Sequence, residues 1–304
     1  MAKNNFGLPK TILIILLCFL STFCIQNLYE NPEKQLEKLT DDMGYEITAG
    51  RPNRIVSLSP SNTEILFAIG AGEKVVGVTD YCNYPPEVLE KIERGEIERI
   101  GGYSNPNIER ILALKPELVV ASHGNDLGLI ENLRKFVKVI AFDPKNIEDI
   151  KRAILAIGRS TGYYENAKKL VIEMENKISE IEAKKKSGKS VAVIIWKDPL
   201  WVSGRDTFID EAISIAGGIN AFNFSGWKII NYETLVIANP DVIILSGDIG
   251  SEENLSKWVI GEERLKDVKA VKNGKVFVIA PDLISRPGPR IVDAIEQIYN
   301  LIND

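Results

Sequence analysis

Two stretches hold a carboxylate in the same setting. Glu109 in "NIERILALKPELVVAS" and Glu233 in "NYETLVIANPDVIILS" each follow an asparagine by two residues and precede a proline by seven. Asn107, Glu109 and Pro116 thus recur as Asn231, Glu233 and Pro240, an offset of 124 residues. Each asparagine can cap a helix, and an acid in a first helical turn complements the helix dipole by about 0.3–1 kcal/mol. That explains each glutamate alone but not their pairing.

Other groups that could do chemistry lack the setting for it. "SGKS" (187–190) has Ala183 where a phosphate loop needs glycine, and a helical pattern precedes it instead of a strand. "GAGEKVVG" lacks the dinucleotide spacing and follows a helix. His123 is the single histidine, which rules out a histidine-rich metal cage. A serine triad would have to use it, and no G-x-S-x-G elbow accompanies it. Asp206, Asp210 and Glu211 fit an ordinary first helical turn. No catalytic residues, no protein-bound metal and no cofactor of the chain's own are expected. His123 remains a candidate for coordinating a metal within a ligand, or a surface loop residue.

The 304 residues are 45% hydrophobic, enough for two domains, and the formal net charge of −5 gives no basic footprint for nucleic acid. Lys3 and Lys10 precede the uncharged run "TILIILLCFLSTFCI" (11–25), the layout of an export signal. Residues 1–25 are expected to be that signal or a retained membrane anchor, with Cys24 a possible lipid site, and 26–50 a polar tether. The protein is therefore expected at the outer face of the cytoplasmic membrane. Cys82 is the one cysteine of the body, so no internal disulfide framework exists there. Asn223 and Asn254 lie in N-x-S sequons.

Strand and helix patterns alternate through the chain, an α/β arrangement. "RIVSLSP" predicts a strand leading into "SNTE", a capping box in which Ser61 caps and Glu64 reaches back. Ser61 or Asn62 at that helix end could also meet an anionic ligand group. "SVAVIIW", "DTFIDEAISIAGG" and "KVFVIAP" repeat the order in the second half. Two copies imply two lobes, at 51–145 and 188–304. Between them, in 146–187, Ala167–Lys186 has the apolar spacing of a long amphipathic helix, and restricted hinge motion follows from that connection.

The stretches "RIVSLSPSNTEILFAIGAGEKVVGVTDYCNYPPE", "NIERILALKPELVV", "WVSGRDTFIDEAISIAGGINAF" and "RPGPRIVDAIEQI" resemble the substrate-binding proteins of ABC importers for cobalamin, ferric siderophores and haem. The likeness runs from about residue 53 onward. It implies two Rossmann-like α/β lobes joined by one long helix, with a ligand cleft between them. It also implies a monomer that delivers its guest to a permease dimer driven by a cytoplasmic ATPase. The first lobe is most similar to cobalamin-binding members. By that likeness Tyr81, Tyr103, Trp201, Trp227, Asp282 and Arg286 face the ligand, Trp196 is a further candidate, and Tyr84 braces the turn before Pro85. Ser122 and Leu283 stand where an aromatic would be usual. Glu109 and Glu233 become the residues that dock on permease arginines. Corrins and haems are broad apolar rings with polar rims, which aromatic walls and a few polar groups suit. The transported ligand is expected to be a corrinoid, with a ferric siderophore or haem as the alternative.

Overall fold

The computed structural model describes residues 40–122, 124–247 and 252–303. The expected export segment, His123 and most of the expected tether lie outside the described residues. From Asp41 onward the chain is tied to the first lobe. The buried Asp41 carboxylate accepts from the amides of Met43, Tyr45 and Ala141 and from Arg134 Nη2 at 2.6 Å.

The first sheet is wholly parallel and built on β1 (Ile55–Ser57), β2 (Val75–Val78), β3 (Glu98–Arg99), β4 (Leu118–Ser122) and β5 (Lys138–Phe142). Its order is β3-β2-β1-β4-β5. Helices α1 (Pro60–Ala68), α2 (Pro86–Glu93), α3 (Ile108–Ala113) and α4 (Leu127–Arg134) connect the strands. β1 is buried throughout and β4 almost so, as expected of apolar strands covered on both faces. Val56, Leu58, Ile100, Ile111, Val119 and Ile130 form the centre of this lobe's core.

Two helices follow, α5 (Ile147–Thr161) and α6 (Tyr164–Glu182). They pack closely where Gly158 meets Ala167, since a Cβ on Gly158 would collide with the Ala167 methyl. α6 is the expected long spacer, displaced toward the N-terminus: it starts at Tyr164 and ends at Glu182, leaving Ala183–Lys186 outside. At 1.5 Å per residue it spans roughly 28 Å.

The second sheet is mixed. β6 (Ser190–Trp196), β7 (Trp201–Ser203), β8 (Ile219–Asn220), β9 (Trp227–Ile229), β10 (Val242–Ser246) and β11 (Val276–Ile279) form it, in the order β11-β10-β6-β7-β9 with β8 beside β6. Its helices are α7 (Phe208–Ile215), α8 (Tyr232–Ala238), α9 (Glu252–Gly261), α10 (Lys269–Lys272), α11 (Pro281–Ile284) and α12 (Ile291–Asn303). Both sheets belong to one compact unit beginning at Asp41.

The 124-residue repeat is exact in the backbone at the centre of each lobe. Asn107 and Asn231 cap α3 and α8; Lys115 and Asn239 both adopt left-handed φ, of 49° and 43°, before the prolines; β4 and β10 then start at residues 118 and 242. Each strand lies between two parallel neighbours. The repeat fails one strand further out. β1 runs on into α1, whereas β6 turns back at Asp198-Pro199 into antiparallel β7, itself paired antiparallel with β9. The expected second copy of the first half is therefore replaced by a three-stranded antiparallel edge.

The expected capping box is also corrected. Ser59, not Ser61, caps α1, accepting from the Asn62 amide at 3.2 Å with Pro60 in the first turn. Glu64 lies beyond reach of the cap and is used elsewhere.

Candidate functional site

Open α/β sheets hold ligands outside the carboxyl ends of their strands, where the strand order reverses. In the first sheet that point lies between β1 and β4. A cavity of about 670 Å³ opens there, facing the corresponding edge of the second lobe. From the first lobe come Ser59 and Ser61 after β1, Tyr81 after β2 and Tyr103 after β3. From the second come Trp196 at the end of β6, Trp201 at the start of β7, and Asp282, Ser285 and Arg286 after β11.

Tyr103 is held by buried polar groups. Its hydroxyl shares a hydrogen bond with Ser122 Oγ at 2.9 Å, which gives the serine at this usually aromatic position a role. Burial pushes the Tyr103 phenol above its ordinary pKa, against the opposing Ser122 bond. The hydroxyl therefore stays protonated at neutral pH and acts as a hydrogen-bonding group. Gly124 leaves room for the ring, which a Cβ there would overlap. Asn125, buried, donates to the carbonyls of Leu58 at 2.9 Å and Tyr103 at 2.6 Å and accepts from the Ser122 amide at 2.7 Å. One amide thus pins the ends of β1 and β4 to the tyrosine loop. Asn125→Ala leaves those groups without their partner and is expected to cost about 2–3 kcal/mol in urea unfolding; an unchanged unfolding midpoint would contradict this role. Asn62, expected as a possible anion contact, instead donates to the Ala121 carbonyl at 2.9 Å.

The antiparallel edge of the second lobe builds the facing wall. Trp196 pairs with Trp201, and Trp201 with Ile229, so these three side chains form a row across β6, β7 and β9. All are well exposed, at 63%, 44% and 66%. With neighbouring strands about 4.8 Å apart, the row makes an apolar shelf roughly 10 Å wide, of which Trp196 and Trp201 line the cavity and Ile229 does not. Trp227 occupies the next row and packs against Trp201 at 6.2 Å and Phe208 at 5.8 Å between ring centroids.

The cavity floor is an ion cluster joining the lobes. Glu64 of α1 is buried, its side chain 1% exposed. Its Oε1 accepts from Arg286 Nη1 at 2.8 Å and Arg290 Nη2 at 2.7 Å, and its Oε2 accepts from Arg290 Nε at 2.8 Å. Arg286 Nη2 also meets Asp282 Oδ1 at 2.6 Å and the Tyr81 carbonyl at 3.2 Å. Arg290 stacks on the Tyr84 ring at 3.7 Å. Desolvation works against the Arg290 charge, but the bonds to Glu64 and the nearby Asp282 outweigh it and raise its pKa.

The fold of two α/β lobes is shared with solved structures. The periplasmic vitamin B12 binding protein of Vibrio cholerae superposes with a TM-score of 0.71 at 27% identity, over 83% of this chain and 97% of that one. A possible iron-binding (periplasmic solute-binding) protein of Staphylococcus epidermidis gives 0.71 at 28% identity, over 84% and 100%. An uncharacterized ABC transporter substrate-binding lipoprotein of Bacillus subtilis is 32% identical over 83% of this chain and 80% of its own. Residues 55–283 match the periplasmic binding protein family.

The chain belongs to the periplasmic binding protein family. This binding protein is thus a substrate-binding component of ABC import and not an enzyme, and a guest in its cleft is cargo to be transported rather than a cofactor of its own. Its partners are a permease and the ATPase that drives it. Among the described residues no helix is long and apolar enough to cross a membrane.

Of the residues singled out from sequence, the binding protein brings Tyr81, Tyr103, Trp201, Asp282 and Arg286 to the cavity, with Trp196 beside them. Trp227 does not line it, standing half-buried against Trp201 instead. Leu283, also expected at an aromatic position, is half-buried in α11. Glu109 and Glu233 are exposed in the first turns of α3 and α8 and form no salt bridge among the described residues. Each of these helices leads from the carboxyl end of one strand to the start of the next, so each first turn follows a strand's carboxyl end. Sequence reasoning missed Asn125, Ile229 and the role of Glu64. The turn dipeptide in "KDPLWVSG", followed by a short β-favouring run, was the available signal for the hairpin and hence for Ile229.

Proposed function

We propose that this binding protein captures a corrinoid outside the cytoplasmic membrane and delivers it to the permease. The observation that carries the reading is the pair of aromatic walls: Tyr81 and Tyr103 on one side of a 670 Å³ cavity, Trp196 and Trp201 on the other. Large rings give contact area at small rotamer cost, which suits a broad, flat macrocycle. Tyr81, Tyr103 and Trp201 serve as direct contacts, Trp227 fixes the plane of Trp201, and Asp282 and Arg286 orient the polar rim. Residues 51–145 and 188–304 act as jaws, and 146–187 as the spacer. Glu109 and Glu233 dock on the permease, and the basic-then-apolar segment 1–25 exports the chain and tethers it as a monomer.

A ferric siderophore or haem is the second reading. It is favoured by the two phenols facing the cavity, since phenolate binds ferric iron, and by the likeness to the possible iron-binding protein. The burial that raises the Tyr103 pKa works against forming that phenolate. Equilibrium titration of the purified protein with cyanocobalamin, haem and a ferric hydroxamate decides between them. Submicromolar binding of cyanocobalamin is expected; binding of the iron compounds alone would overturn the corrinoid assignment.

A further inference from the structure

Of the described residues lining the cavity, only Asp282 and Arg286 are charged, and they are paired with each other. Arg290 stands behind them, and Glu64 bonds to both arginines without reaching the cavity surface. Two guanidinium groups therefore meet two carboxylates, and the formal charge of the floor cancels. The remaining polar lining among the described residues includes the hydroxyls of Ser59, Ser61, Ser104, Ser285, Tyr81 and Tyr103 and the amide of Asn105.

Such a floor treats charged and uncharged guests differently. A carboxylate on the rim of a guest would find Arg286 already engaged by Glu64 and Asp282, and would have to sit beside the Asp282 carboxylate. In a partly desolvated cleft that repulsion is stronger than in water. A carboxamide meets no such opposition. It donates to Asp282 or a serine and accepts from a hydroxyl or a guanidinium N–H.

We propose that Glu64 is a positioning residue that selects guests with an uncharged polar rim, acting through Arg286 by cancelling the charge of the arginine pair from behind. This deepens the reading of the cleft as a macrocycle site and rests on it. Glu64 sets two things together, the orientation of Arg286 in the cavity and the net charge that a guest meets there.

The test compares rings that are the same but for rim charge. Cyanocobalamin is set against its monocarboxylic acids, in which one side-chain amide has become a carboxylate, and haem dimethyl ester against haem. The uncharged member of a pair is expected to bind better to the wild type. Glu64→Gln keeps the shape and one acceptor oxygen for Arg286 and Arg290 while removing the charge and setting an amide NH2 against one guanidinium donor. Asp282→Asn removes a charge from the cavity side, leaving the buried carboxylate intact should the first variant fold poorly. Each variant is expected to shift the affinity ratio toward the charged member on the order of tenfold, and added salt should shrink that shift. A ratio within about twofold of wild type in folded Glu64→Gln, or in Asp282→Asn where Glu64→Gln does not fold, overturns the inference, as does a wild-type preference for the charged member. Which ring binds is a separate result. Binding confined to the haem pair sinks the corrinoid reading while the rim-charge comparison still runs within that pair, and binding of neither pair overturns both.

Discussion

Glu64→Ala is expected to lower the unfolding free energy by about 3–5 kcal/mol, the range for removing one partner of a buried ion pair. The carboxylate is almost sealed from solvent and accepts three charge-assisted bonds of 2.7–2.8 Å. Without it, two guanidinium groups that are themselves only 13% and 17% exposed face each other with Asp282 as their remaining carboxylate. The loss is the cost of those stranded charges rather than the net worth of the cluster, so Glu64→Gln, which still accepts hydrogen bonds, should lose less. Urea unfolding measures both. The same variant should also loosen the lobes, because Glu64 sits on α1 of the first and both arginines follow β11 of the second. Spin labels placed one on each lobe would show a broader distance distribution in Glu64→Ala. A loss below about 1 kcal/mol with an unchanged distribution would mean that water already screens the cluster.

Glu64 also shows where reading a sequence stops. In "SPSNTE" it fits the capping-box spacing, and the local pattern is satisfied without reference to the rest of the chain. Its partners lie 222 and 226 residues away, and no local periodicity can report a carboxylate drawn across a cleft. Asn125 escaped for the same reason: besides the nearby Ser122 amide it bonds to Leu58 and Tyr103, places brought to it only by the fold. Legible features were those set by short-range rules. The 124-residue repeat was visible because the cap, the first-turn acid and the proline recur at fixed spacing, and the backbone reproduces them down to the left-handed Lys115 and Asn239. The aromatic wall lay between these cases. Tyr81, Tyr103 and Trp201, singled out by the resemblance, line the cavity, but the row of Trp196, Trp201 and Ile229 depends on antiparallel register. The assumption of a plain second copy concealed that hairpin. Trp227 was separated from the surface by the same register, which pairs it with Ser203 one row away from Trp201.

Reversing both exposed carboxylates, Glu109→Lys with Glu233→Lys, is expected to reduce uptake by the reconstituted importer more than about 100-fold, since a like charge set against each permease arginine costs several kcal/mol and 1.4 kcal/mol is tenfold. The first-turn location makes the argument quantitative in another way. Each glutamate gains about 0.3–1 kcal/mol from its own helix dipole, and neither is held by a salt bridge among the described residues. Two reversals each lose that gain and add a similar repulsion, so the double variant should unfold about 1–4 kcal/mol below wild type. Neither residue lines the cavity, so ligand affinity should stay within twofold. Stability, affinity and transport thus separate. Each single reversal removes one of two anchors and should leave a residual, salt-sensitive uptake, because exposed charges act mainly on encounter and register. If the double variant loses ligand affinity, the carboxylates belong to the clamp and not to docking. If uptake survives with affinity intact, the repeated glutamates serve only their helices, and the permease must grip the lobes by some other surface.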